Sequence, residues 1–146
     1  MFEPNRQSPH DVETRDTRSK IDRLESVMRD MPQAEIPVTH TFGPGFYART
    51  ITAPAGATIV GKIHATEHIF MVIKGDITLV TEDGEMRVQA PFQTVCRPGM
   101  KRAGYTHAET VCTNIHITTE TDLQKLESTL ISAPALAAAE AKGEIL

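Results

Sequence analysis

Two histidines four positions apart, His64 and His68, flank the short polar run Ala65-Thr66-Glu67. Neutral imidazole is the commonest protein ligand for transition metals, and two rings brought together supply half of a four-coordinate site. In one continuous strand the pair would share a face but stand roughly 13 Å apart, too far to hold one ion. A hairpin removes that difficulty. With one strand ending at His64 and the next opening at His68, the rings meet across neighbouring strands. Two further histidines could supply a third donor; the first is His116, in a run where Cys112, Asn114, His116 and Thr118 share one face and Val111, Thr113, Ile115 and Ile117 the other. If the polar face turns inward, His116 joins the pair; if the apolar face does, it lies on the surface. The pattern leaves both open. His107 reads as a solvent-exposed loop histidine, and His40 as a minor candidate on an edge strand.

Charged residues surround the pair. Glu67 is a ligand, an acceptor for an imidazole N–H, or a turn carboxylate in solvent. Lys62 alternates with His64, so it faces a cavity if His64 does, where it pairs with Glu67 or holds an anionic ligand. On the opposite face it is a snorkelling surface lysine. Arg102 and Tyr105 either line a pocket mouth, where Arg102 grips a carboxylate or phosphate bidentately, or belong to a solvated loop charge run, the reading favoured for Lys101.

The elements that must position these residues are mostly strands. Ile21, Leu24, Val27, Met28 and Met31 recur at helical steps, after a cap at Thr17 or Ser19 and before the stop at Pro32. Such a stripe covers a sheet face or a subunit seam. From Glu35 the period becomes two, giving strands at 36–42, 46–53, 57–63, 68–74, 77–81, 86–88, 93–97 and 109–118. The turns between them are Gly- and Pro-rich, and Asp83-Gly84 is a hairpin signal. Eight or nine short strands with no helix among them predict an all-β antiparallel sandwich or barrel. Thr121-Asp122 then caps a C-terminal helix with Leu123, Leu126 and Leu130 on one side. The expected organisation is a flexible arm over 1–17, one domain over 18–131, and an Ala-rich tail over 132–146.

The central stretch resembles the first signature of the cupin family, G-x5-H-x-H-x3-4-E-x6-G. Gly56, His64 and Gly75 fall in register, while Lys62 stands at the first histidine position and His68 at the glutamate position. The second signature, G-x5-P-x-G-x2-H-x3-N, corresponds to the region of Pro98 and Gly99, where Ala103 or Arg102 occupies the histidine position. The resemblance implies a cupin-type jelly roll over residues from the thirties to about 120, with the short helices attached. It also implies a divalent transition metal (Zn, Fe, Mn or Ni) on His64, His68 and His116, and a small anionic or sugar-like substrate. The family includes dioxygenases, isomerases, lyases and decarboxylases, and the fold does not choose among them. The altered ligand set equally suits a non-catalytic binding or assembly module. The sequence is also similar to small cupins encoded in phage and prophage genomes, which implies a place in a phage particle or the host cytoplasm.

Composition narrows the partners. The 146 residues carry a formal charge of −4 and no tryptophan, which speaks against a nucleic-acid surface. No apolar run approaches membrane-spanning length, and the N-terminus has no secretory pattern. Cys96 and Cys112 lie in separate strand-like segments and read as buried free thiols of a reducing, cytoplasm-like compartment. Apolar sheet faces and the first helix call for a covering partner, and a homodimer is expected.

Overall fold

The computed structural model describes residues 9–130, with their side chains from residue 16 onward. Helix α1 (Pro9–Met28) is followed by nine strands among the described residues: β1 (Val38–Gly43), β2 (Phe46–Ala53), β3 (Thr58–Val60), β4 (His68–Lys74), β5 (Asp76–Thr81), β6 (Gly84–Gln89), β7 (Phe92–Cys96), β8 (Ala103–Thr106) and β9 (Thr110–Ile117). Helix α2 (Leu123–Leu130) comes last. The strands form a five-stranded sheet in the order β1-β2-β9-β4-β7 and a four-stranded sheet in the order β3-β8-β5-β6. Every pairing is antiparallel. This is the all-β antiparallel sandwich that the strand pattern predicts, in the jelly-roll form that the family resemblance implies.

The two sheets close on Phe70, Val72, Ile77, Leu79, Val88, Cys96 and Cys112. These side chains come from alternate positions of their strands, as a half-buried sheet requires. Both cysteines are free and buried, as expected. Two glycines serve the turns. Gly84 lies in the left-handed region (φ 123°) between β5 and β6, where Asp83-Gly84 makes the hairpin. Gly75 (φ 103°) links β4 in one sheet to β5 in the other, and a Cβ there would meet the carbonyl of Glu109 and Thr110.

The helices depart from expectation in one respect. Helix α1 begins at Pro9, so residues 9–17 are helical rather than an arm. Proline suits a first helical turn, where its missing N–H has no partner to lose, and the polar first turns show no apolar stripe to read. The helix packs Ile21 on Val60 and Ala103, with Met28 and Val80 beside them, so two residues of its stripe cover the outer face of the smaller sheet while Leu24, Val27 and Met31 stay exposed. Lys101 is a correction: it is buried, not solvated, with its ammonium 2.5 Å from Asp22 and 3.4 Å from Glu25 on α1. Helix α2 starts as predicted, the Asp122 carboxylate accepting the Lys125 N–H at 3.0 Å. The tail over 132–146 and the first eight residues lie outside the described residues.

Candidate metal centre

The register of β2, β9 and β4 settles the orientation of His116. Tyr47 pairs with His116, Arg49 with Asn114 and Ile51 with Cys112, and Phe70 pairs with Asn114 from the other side. Cys112 and Phe70 belong to the core between the sheets, so by the period of two His116 points inward as well. It is 2 % exposed. His68 opens β4 one position beyond the paired Ile69 and Ile115, which makes it the cross-strand neighbour of His116 on the inner face.

His64 arrives by another route. Residues 57–63 and 68–74 do not form the expected hairpin, because β3 pairs with β8 in the smaller sheet while β4 lies in the larger. The connection between them crosses from one sheet to the other, and His64 sits in that crossing. Its carbonyl accepts the Gly99 N–H at 2.9 Å, and the next residue, Ala65, donates its N–H to the last carbonyl of α2, on Leu130, at 2.5 Å. The ring is thus held between the turn before β8 and the end of α2.

Three imidazoles converge as a result. Ring centroids stand 4.4 Å apart for His64 and His68, 4.9 Å for His64 and His116, and 4.7 Å for His68 and His116. All three are buried, and a nitrogen from each lies within 4.8 Å of the others. His68 Nδ1 is 3.2 Å from the Thr66 carbonyl, which can only accept, so Nδ1 holds the proton and the Nε2 lone pair faces the cluster. That Nε2, with Nδ1 of His64 and Nδ1 of His116, is buried with no hydrogen-bond partner. Three buried unpartnered ring nitrogens are costly, and one ion that accepts three lone pairs would satisfy all of them. The donor set therefore fits a divalent transition metal.

Electrostatics keep the rings neutral, the form that ligates. Burial, then the neighbouring His68, His116, Arg102 and Arg49, push His64 down to about 2. Burial and the same cationic surroundings bring His116 down to about 4. Burial also lowers His68, against the raising effect of the Thr66 carbonyl and Asn114.

Behind the triad, Tyr47 stacks on His116 with centroids 6.2 Å apart, and its hydroxyl lies 2.6 Å from His40 Nδ1. His40 thus supports the site at one remove. Leu126 and Leu130 of α2 pack on Tyr47 and close the cluster from outside. A cavity of about 20 Å³ lies between α2 and the rings, lined by His64, His116, Arg49 and Glu127 among others. A larger one, about 60 Å³, opens into the sandwich and is walled by His64, Ile51, Phe70, Leu79, Arg102 and Asn114.

The substrate-binding candidates divide. Arg102 is in the larger cavity. Lys62 is buried but lines neither cavity. Glu67 is exposed in the turn and reaches neither. Tyr105 is half exposed on the outer face of the smaller sheet, edge-on to His107, whose Nε2 is 2.7 Å from the Thr78 hydroxyl. Neither of those two rings is part of the site. Asn114 turns inward with His116, as one of the two readings of that strand has it, whereas Arg49 is not anticipated there. The signal for Arg49 is the alternation Tyr47-Ala48-Arg49-Thr50-Ile51, where an arginine shares a face with two core residues.

No known family profile matches the sequence, and no curated protein does. Solved structures do match in fold. The cupin domain of Cnp3 from Schizosaccharomyces pombe aligns over 69 % of this chain and 76 % of its own, with a TM-score of 0.50 and 17 % identity. Salicylate 1,2-dioxygenase from Pseudoaminobacter salicylatoxidans, as adducts with gentisate, aligns over 77 % of this chain, with a TM-score of 0.53 and 9 % identity. This chain spans 33 % of the dioxygenase. The fold is that of a cupin domain, with a histidine triad able to hold a metal at one end of the sandwich.

Proposed function

We propose that this protein is a metal-binding cupin in which His64, His68 and His116 hold one divalent transition metal, with open positions directed at a small-molecule ligand. The observation that carries the reading is the convergence of three neutral, buried ring nitrogens that have no other partner. A metal in such a three-histidine set acts as a Lewis acid on a bound oxygen and keeps room for water or substrate. The chain's own contributions are separable from it. The Thr66 carbonyl fixes the His68 tautomer, Leu126 and Leu130 keep bulk water from the outer side, and the larger cavity admits the ligand from the sandwich side. Substrates of the small anionic class fit this arrangement better than sugars, since the cavity walls are mostly apolar with one cation.

The test is metal content by inductively coupled plasma mass spectrometry after loading with Zn, Fe, Mn or Ni and exhaustive dialysis. One equivalent of a transition metal is expected, with loss in His64→Ala, His68→Ala and His116→Ala. Metal-free protein under all four loadings would refute the reading.

A homodimer accompanies it. Ile69, Val95 and Ile117 are exposed on the outer face of the larger sheet, where Ile69 pairs with both Val95 and Ile115. A contiguous apolar sheet face of this kind supports self-association. Light scattering at micromolar concentration checks it, and a clean monomer would count against it.

A further inference from the structure

The larger cavity holds a positive charge that nothing in the described structure neutralises. Arg102 places one Nη1–H on Cys96 Sγ at 2.9 Å and one Nη2–H on the Asn114 Oδ1 at 3.1 Å. The face of its guanidinium lies 4.0 Å from the centre of the Phe70 ring. No carboxylate forms an ion pair with it among the described residues. Cys96 does not serve as the counterion, because burial raises its thiol and keeps it protonated. Guanidinium has five N–H donors, and among the described residues only these two contacts, neither to a carboxylate, engage them. Arg102 is only partly exposed, and a cation largely withdrawn from water with no carboxylate beside it is costly. Arg18, Arg29, Arg87 and Arg97 each pair with an Asp or Glu. Arg102 instead faces a void.

The shape of that void defines what would complete the charge. Its volume of about 60 Å³ is room for roughly four to six atoms of water size, at about 10–15 Å³ each. Ile51, Ile59, Phe70, Ile77 and Leu79 supply its apolar lining, and His64 of the triad lines it as well. One cation in an apolar enclosure calls for one negative charge, which disfavours a phosphate dianion. A planar carboxylate matches the guanidinium fork, and an aliphatic tail of two or three carbons matches the wall. We infer that the cavity is a receptor for a small aliphatic monocarboxylate, gripped by Arg102 and oriented with its other end toward His64. This deepens the metal reading, and rests on it only for the further step that the bound acid is the substrate.

Propionate and propionamide have the same size and differ in charge, so they isolate the role of Arg102. Their binding to full-length protein, metal-stripped and metal-loaded, is measured by isothermal titration calorimetry, with metal content determined on the same samples. The expected result is propionate at least about tenfold tighter than propionamide, a preference lost in Arg102→Gln and weakened but retained in Arg102→Lys. Equal binding of the two by wild type, or unchanged propionate binding in Arg102→Gln, overturns the proposal. Inorganic phosphate binding more tightly than propionate overturns the monocarboxylate assignment. If Arg102→Gln does not fold, the wild-type comparison decides alone. Preference for propionate in protein that takes up no metal would sink the metal reading while leaving the acid receptor standing.

Discussion

The rings of His64 and His68 lie 4.4 Å apart although β3, which leads to the first, and β4, which the second opens, belong to different sheets. The pair is therefore a bridge across the open end of the sandwich rather than a cross-strand pair. Its geometry depends on how the two sheets are held together at that end. Hydrogen bonds from Gly99 to His64 and from Ala65 to Leu130 do the holding, together with the leucines of α2.

Acid should destabilise the metal-free protein. In the unfolded chain each histidine takes up a proton near pH 6.5, whereas in the fold His116 waits until about 4 and His64 until about 2. The unfolded state binds more protons throughout that interval, so stability rises with pH there and is lost as pH falls from about 7 toward 4. Each histidine contributes a slope of up to about 1.4 kcal/mol per pH unit inside its window. Urea midpoints at pH 7 and pH 5 should differ for wild type, and His116→Gln should shrink the difference. Identical midpoints would show that the rings are not neutral and buried.

Leu126 is 1 % exposed and packs with Leu130 on Tyr47. Leu126→Ala should cost about 2–5 kcal/mol, as core truncations do, and open the outer side of the triad to water. Chemical denaturation measures the first effect. Faster removal of metal by a chelator measures the second, and an unchanged chelation rate would mean that α2 does not seal the site.

The Lys101 ammonium is buried against Asp22 and Glu25 on α1. Neutralising both acids with Asp22→Asn and Glu25→Gln leaves a cation without its partners, whereas Lys101→Met removes the cation itself. The double variant should lose about 1–3 kcal/mol, less than a fully enclosed pair because Asp22 is half exposed. Lys101→Met should lose less than that. The reverse order in denaturation midpoints would contradict the pairing.

Much of this fold was legible where the chain alternates cleanly. Phe46–Ala53 and His68–Lys74 are strands at the predicted boundaries, because a period of two with β-branched residues admits few other structures. Ala103–Thr106 was not read as a strand, being four residues with a glycine in the middle and two cations before it. Helix α1 starts at Pro9, ahead of its apolar stripe, because its first turns are polar and helix continuity does not need such a stripe. Pairing was the harder problem. Residues 57–63 look alike whether they join their neighbour in sequence or β8, and only the closed sandwich chooses.

The same limit applies to His116 and Arg102. On β9 the usual rule is inverted, since Cys112 and His116 point inward while Ile117 is exposed. A sandwich whose interior ends in a polar site turns polar side chains toward its centre, and alternation by itself does not say which face that is. Arg102 was legible as a cation in the replaced signature; its contact with Phe70 and lack of a carboxylate arise only from tertiary packing.

Anomalous diffraction from crystals of metal-loaded protein, recorded on both sides of the absorption edge of the metal, tests the central claim most directly. The account predicts a single strong peak in contact with His64 Nδ1, His68 Nε2 and His116 Nδ1. A peak elsewhere, or none between three rings that remain converged, would contradict it.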